Sequence, residues 1–156
     1  MSAMIYALWA FMAGALIPLM AILNGGLAHK VGGAIQATLL LFAIGLLALL
    51  IVAAAAKAQL PAVQILAHIP LVQYAGGTIV GFYILSITFL APRFGVGNAI
   101  LFAVTAQLLT SALIDHFALA GATWRPLTAT RTVGLAIVIA GVVVTQIGDR
   151  IVGGAR

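Results

Sequence analysis

The sequence predicts an all-α integral membrane protein with five transmembrane helices in a single domain spanning residues 1–156. Hydrophobic residues make up 65% of the chain and charged residues only 6%, whereas a soluble domain is about half apolar and about a quarter charged. Apolar runs of about 20 residues, the length that crosses a bilayer as a helix, recur along the whole chain. This composition excludes a soluble domain, and the high hydrophobicity also excludes disorder.

Glycine, proline and polar residues separate the five predicted spans. The spans are residues 4–23, 33–56, 71–90, 97–117 and 131–147. Pro18 is expected to bend the first span, and Asn24-Gly25-Gly26 is expected to end it. A helical apolar pattern over 62–69 is too short to cross, and Pro61 suits a first helical turn. We therefore expect a short helix at the membrane interface there.

Cysteine and histidine usage argues against an enzyme. The chain has no cysteine, and its three histidines lie far apart in different segments, which is not the spacing of a metal site. No nucleophile–base pair is evident within the spans. We expect no enzymatic activity, no cofactor and no metal.

The basic residues are scattered singly and predict no preferred orientation. Their lack of clustering argues against a nucleic-acid partner. With five spans, the connections on the N-terminal side hold Lys57, Arg125 and Arg131, and those on the other side hold Lys30, Arg93, Arg150 and Arg156. Because the positive-inside bias is nearly absent, two alternatives stay open. Either other features set a weak preference, or the protein inserts both ways and pairs with itself in an antiparallel manner.

The fourth span carries a polar stripe. Gln107, Ser111 and Asp115 recur every four residues on one helical face. Tyr83 and Ser86 on the third span are three residues apart. They could supply an aromatic ring and a hydroxyl that face this stripe. Polar groups in hydrocarbon must be paired or wet. The stripe is therefore either an interhelical hydrogen-bonding face or a substrate-facing wall to which Tyr83, Ser86, Gln107 and Ser111 contribute.

Two further features of the sequence predict helix packing. Gly134 and Gly141 lie on one stripe of the last span, where small residues let helices approach closely, and we expect a dimer contact there. Asp115 ends the fourth span, and Arg131 begins the fifth at the same membrane face. We expect an ion pair that fixes this hairpin; the alternative is a proton or cation relay through Asp115 and His116.

Several motifs resemble those of the YdcZ family of bacterial inner-membrane exporters in the drug/metabolite transporter superfamily. They are Gly76-Gly77 with Gly81; Pro92-Arg93-Phe94-Gly95; Gln107, Ser111 and Asp115-His116-Phe117; Arg131 with Gly134; and Gly141-Val142. The chain departs from the family pattern at Met20, where members often have Gln, and at Ala106 and Ala118, where they often have Gly.

The resemblance implies a secondary transporter in the bacterial inner membrane that exports a small metabolite or drug-like solute. Larger members of the superfamily carry ten spans as two inverted halves, so a five-span chain is expected to complete the structure as an antiparallel homodimer with alternating access. The first span lacks the glutamate of small multidrug transporters, which favours a neutral or zwitterionic solute as much as a cation. The alternative function is a non-transporting scaffold or accessory subunit.

Overall fold

The computed structural model describes residues 3–153, with side chains for residues 4–148. Over this range the regular structure is entirely helical. The helices are α1 (Ala3–Val31), α2 (Ala34–Ala55), α3 (Val63–Ala67), α4 (Leu71–Phe94), α5 (Val96–Phe117) and α6 (Ala129–Gly153), with a 3₁₀ turn at Leu119–Gly121. Arg150 and Arg156, which enter the charge count, lie beyond the described side chains.

Five of these helices are long and apolar enough to cross a membrane, namely α1, α2, α4, α5 and α6. Large apolar side chains such as Trp9 and Phe11 are about three-quarters exposed on the protein surface. Helices that are apolar all round belong in lipid or in a large protein core. The five-span, all-helical prediction is therefore confirmed, whereas the interfacial position of α3 stays a prediction.

The described residues fall into two compact units, divided after Gly97. In the first unit α1, α2 and α4 pack against one another. Its buried core consists mainly of small residues: Ala21, Asn24, Ala37, Thr38, Ile87, Thr88 and Ala91. The second unit buries Ala99, Ala112 and Val142. Small side chains at these contacts let helix backbones come close where lipid removes the hydrophobic drive for association.

The prediction that Asn24-Gly25-Gly26 ends the first span is wrong, because α1 continues to Val31. A methyl group built on Gly25 would lie 3.3 Å from Cγ of Pro92 on α4. Glycine costs a helix about 1 kcal/mol relative to alanine, but here it permits close packing between α1 and α4. In a bilayer, continuing the helix also keeps the backbone hydrogen bonds satisfied.

Among the other helix boundaries that differ from the predicted ones, two have a clear local cause. The third span ends at Phe94 rather than at residue 90, because Pro92 is accommodated inside the last turn of α4 and Gly95, at φ 90°, ends the helix. The fifth span begins at Ala129 rather than at residue 131. Here the Thr128 hydroxyl accepts a hydrogen bond from the Arg131 backbone N–H (3.2 Å), which is the usual N-cap arrangement.

The contact between Gly25 and Pro92 predicts an asymmetric effect of substituting neighbouring glycines. Gly25→Leu should lower the unfolding temperature in detergent by several degrees, because a side chain cannot enter the α1–α4 contact without moving Pro92. Gly26→Leu is the matched control, since a methyl group there meets nothing within 4 Å. Equal unfolding temperatures for the two variants would contradict this packing.

Candidate functional site

A cleft of about 630 Å³ lies in the first unit, where α1 and α4 end and α2 begins. It is bordered by the turn at Gly32 and Gly33, whose φ angles of 96° and 145° favour glycine. Side chains from all three helices line it, including His29, Gln36, Phe82, Ser86, Phe89 and Arg93. The cleft is therefore a concave, largely apolar space with a few polar groups, as small-molecule sites usually are.

The cleft runs along α4 from its end towards its middle. Ser86 lies seven residues before Arg93 on this helix, which corresponds to about 10 Å along the helix axis. Phe82 lies one further turn inward and also lines the cleft. The cleft therefore borders α4 from its C-terminal end to near its middle.

The structure places the four predicted substrate-binding residues in two different units. Ser86 lines the cleft, and Tyr83 is half-buried on the same helix but does not line it. Gln107 and Ser111 are exposed on α5 in the second unit. The Ser111 hydroxyl donates to the carbonyl of Leu108 on its own helix (2.9 Å). Of the four residues, Ser86 alone lines the cleft.

An amide–hydroxyl pair that the sequence analysis missed joins α1 to α4 beside the cleft. The Asn24 side-chain amide donates to the Thr88 hydroxyl, which in turn donates to the Ile84 carbonyl (2.8 Å). Both side chains are buried, with 4% and 2% of their surface exposed. A lone asparagine inside an apolar run was the signal for such a pair, because an amide in hydrocarbon requires a partner.

A second missed pair lies between α5 and α6. The Gln146 amide donates to the side-chain oxygen of Asn98 (2.8 Å). Both residues are half-buried in the second unit. On α5 the sequence predicted only the stripe that contains Gln107. The Asn98 side chain, by contrast, makes a hydrogen bond to the neighbouring helix.

Asp115 and Arg131 form an ion pair at the opposite end of the same two helices. Arg131 Nη2 donates to Asp115 Oδ2 at 2.7 Å, and both side chains are about one-third exposed. The stretch from Asn98 to Asp115 is about 26 Å long and that from Arg131 to Gln146 about 22 Å, so the two helices run over similar lengths between the two pairs. The α5–α6 hairpin is therefore tied at both ends.

The connection between α5 and α6 folds back onto the end of α5. The Asp115 carbonyl accepts from the Arg125 N–H (2.9 Å), and His116 Nδ1 accepts from the Leu127 N–H (3.1 Å). Ala118, the residue after Phe117, adopts a left-handed φ of 50°. The bond from Leu127 occupies Nδ1, which favours a structural role for His116 over a relay through this atom.

The predicted dimer-packing glycines lie on the surface of α6. Gly134 and Gly141 are exposed, and a methyl group built on either meets nothing within 4 Å. Val142, next to Gly141, is buried instead. The glycine stripe therefore flanks the buried face of α6 and has no packing role among the described residues of its own protomer.

A family model described as "Putative inner membrane exporter, YdcZ" matches residues 5–144 of the chain. Comparison with curated proteins and with solved structures gave no match. The matched range includes α2, α3, α4 and α5 completely, together with the ion pair between Asp115 and Arg131.

The ion pair predicts a stability effect that a relay would not produce. Asp115→Asn should lower the free energy of unfolding by about 1 kcal/mol, because it removes the charge that pairs with Arg131. The charge-swapped double variant (Asp115→Arg with Arg131→Asp) should recover part of this loss. Thermal unfolding of the purified protein in a neutral detergent measures both effects.

The matched control for this experiment is Arg125→Gln. Arg125 lies in the same connection and has an exposed side chain, so its removal should leave the unfolding temperature nearly unchanged. An Asp115→Asn protein with normal stability but no proton-coupled transport would favour the relay over the structural ion pair.

Proposed function

This chain belongs to the YdcZ family of inner membrane exporters, and we propose that it is a secondary transporter that exports a small metabolite or drug-like solute. As a multi-pass inner membrane protein it has five spans, half the number in larger superfamily members. We propose that two copies complete the transporter as an antiparallel homodimer of inverted halves. The family is one of exporters rather than enzymes, so transport is favoured over catalysis and over a scaffold role.

The cleft of the first unit is the observation that carries this proposal. It begins at the end of α4 and extends inward to Ser86 and Phe82. In an inverted second copy the same cleft would begin at the other membrane face. Two such half-channels that meet near the midplane are the geometry that alternating access uses.

The charge balance supports pairing of inverted copies. The two sides of the membrane carry three and four basic residues among the seven in the chain, which is too small a difference to fix one orientation. The exposed glycines Gly134 and Gly141 offer a face on α6 where a second helix fits closely. We propose this face as the dimer contact.

The four polar residues predicted from the sequence are proposed as substrate contacts. Ser86 lines the cleft, with Tyr83 one turn away on α4, while Gln107 and Ser111 form an exposed polar face on α5. In lipid an exposed glutamine side chain is costly unless water, solute or another helix satisfies it. Asp115 and Arg131 are proposed to fix the hairpin rather than to couple transport.

Solute flux into proteoliposomes tests the transport function. A panel of radiolabelled or fluorescent small solutes should include at least one that the wild-type protein moves faster than empty vesicles do. Ser86→Leu should reduce that flux at least tenfold, because it fills the cleft. Val80→Leu on the exposed surface of the same helix is the control and should retain flux. Equal flux for the two variants would contradict a route through this cleft.

The dimer contact predicts that a bulky residue on the glycine stripe separates the protomers. Gly141→Leu should lower the dimer fraction in detergent at least fivefold while leaving the protomer folded, since the built methyl group meets no atom within 4 Å. Ala136→Leu, an exposed position on the other flank of α6, should dimerise normally. Light scattering coupled to size exclusion measures the dimer fraction.

The antiparallel arrangement is tested by labelling the same protein in its native membrane. A single cysteine introduced after residue 153 should react with impermeant reagents from both sides of the membrane. Labelling from one side alone would contradict the antiparallel dimer, even if a dimer persists in detergent.

A further inference from the structure

The guanidinium of Arg93 is held at the mouth of the cleft by contacts within its own helix. Nη1 donates to the Phe89 carbonyl at 2.8 Å, and the guanidinium carbon lies 3.8 Å from the centre of the Phe89 ring. These contacts orient the planar group in advance, so less entropy is lost when it binds a ligand. Its other N–H donors have no acceptor among the described residues and remain available to a ligand.

No carboxylate among the described side chains pairs with Arg93. The one carboxylate that residues 4–148 contain is that of Asp115, and it pairs with Arg131. A guanidinium at the edge of an apolar cleft strongly favours a bound anion, because the low dielectric increases the attraction between opposite charges.

Other hydrogen-bond donors border the same space. The Gln36 amide and the Ser86 hydroxyl line the cleft. The first residues of α2, Ala34 and Ile35, also line it, and their helix has no side-chain cap at Gly33. The partial positive charge of this helix end adds to that of Arg93.

The inner part of the cleft is apolar. Phe82 and Leu85 line it, and Phe82 lies about 16 Å from Arg93 along the axis of α4. The cleft therefore combines a cationic mouth with an apolar interior. A molecule that fits it has an anionic group at one end and an apolar or aromatic body at the other.

We propose that this cleft binds an anionic head group, a carboxylate or a phosphate, attached to an apolar body, and that Arg93 pairs with that group. The further statement that such anions are the exported solutes rests on the proposed transport function. It replaces the expectation of a neutral, zwitterionic or cationic solute, which derived from the missing glutamate in the first span.

Binding of three molecules that share one ring and differ in charge tests the proposal. Benzoate, benzamide and benzylamine are titrated into the purified full-length protein in a neutral detergent, with calorimetric detection. Benzoate should bind at least tenfold more tightly than the other two, and phenyl phosphate should bind like benzoate. Equal affinities for the three molecules, or no benzoate binding at millimolar concentration, would overturn the proposal.

Variants of Arg93 assign the binding to this residue. Arg93→Gln should weaken benzoate binding at least tenfold, whereas Arg93→Lys should retain part of the affinity because it keeps the charge. Arg125→Gln removes one positive charge from an exposed connection in the second unit and should leave benzoate affinity unchanged. If Arg93→Gln elutes as a misfolded aggregate, Phe89→Leu provides the second test and should weaken benzoate binding by removing the ring beneath the guanidinium.

A lipid head group and a free solute are distinguished by changing the bilayer. The titrations are repeated in nanodiscs of phosphatidylcholine with and without phosphatidylglycerol, and copurifying lipid is measured by mass spectrometry. Benzoate binding that is equal in the two bilayers identifies a soluble anion. Loss of benzoate binding in the phosphatidylglycerol discs, with this lipid retained by the wild type and released by Arg93→Gln, identifies a lipid phosphate.

Flux measurements separate this proposal from the transport function. Arg93-dependent benzoate binding without movement of any solute in the flux panel would support the anion site and contradict the transport function. Transport of a cation or a neutral solute that Arg93→Gln leaves unchanged, together with no benzoate binding, would support transport and overturn the anion site.

Discussion

The architecture of this protein depends on the requirement that polar side chains find partners in an apolar environment. Three pairs meet that requirement across helices: Asn24 with Thr88, Asn98 with Gln146, and Asp115 with Arg131. Apolar side chains gain little hydrophobic free energy by leaving lipid for another helix, so burial alone does not select an arrangement of helices. Each polar pair has directional geometry and therefore helps to fix which helix faces are in contact.

Small residues make these polar contacts possible. Ala21 and Ala91 are buried in the first unit close in sequence to the Asn24–Thr88 pair, and Gly25 lies against Pro92. A short side chain such as threonine reaches its partner only when the helix backbones are close. Small side chains and polar pairs therefore act together, and the cleft forms beyond them where the turn between α1 and α2 borders α4.

The number and type of the helices could be predicted from the sequence because hydropathy sums over about 20 residues and tolerates local irregularities. The end of the first span could not, since Asn24-Gly25-Gly26 has the composition of a helix stop and is held helical by contacts with α4. The Asp115–Arg131 contact could be predicted because a short connection brings the two helix ends together. The hydrogen bond between Asn24 and Thr88 could not be predicted, because local periodicity carries no information about which distant helix packs alongside.

The candidate site, too, could be predicted from the sequence only in part. Ser86 was singled out as a hydroxyl on the third span that could contact substrate, and it lines the cleft. Apart from its place in the Pro92-Arg93-Phe94-Gly95 motif, Arg93 was counted as a charge in a connection, because the predicted third span ended before it. The extension of α4 through Pro92 carries Arg93 onto the helix and beside Phe89. A change of four residues in one helix boundary thus converts a loop charge into a cleft residue.

The spacing of the polar partners has a consequence for assembly during synthesis. In the α5–α6 hairpin Asp115 and Arg131 are 16 residues apart and Asn98 and Gln146 are 48 apart, so α5 needs only the next helix to satisfy both of its polar groups. Asn24 precedes Thr88 by 64 residues. α1 therefore enters the membrane with an unpaired amide and keeps it through the synthesis of α2 and α3. The first unit acquires its final packing only after α4 has been synthesised. Insertion of α4 is therefore the step that fixes the structure of the N-terminal half.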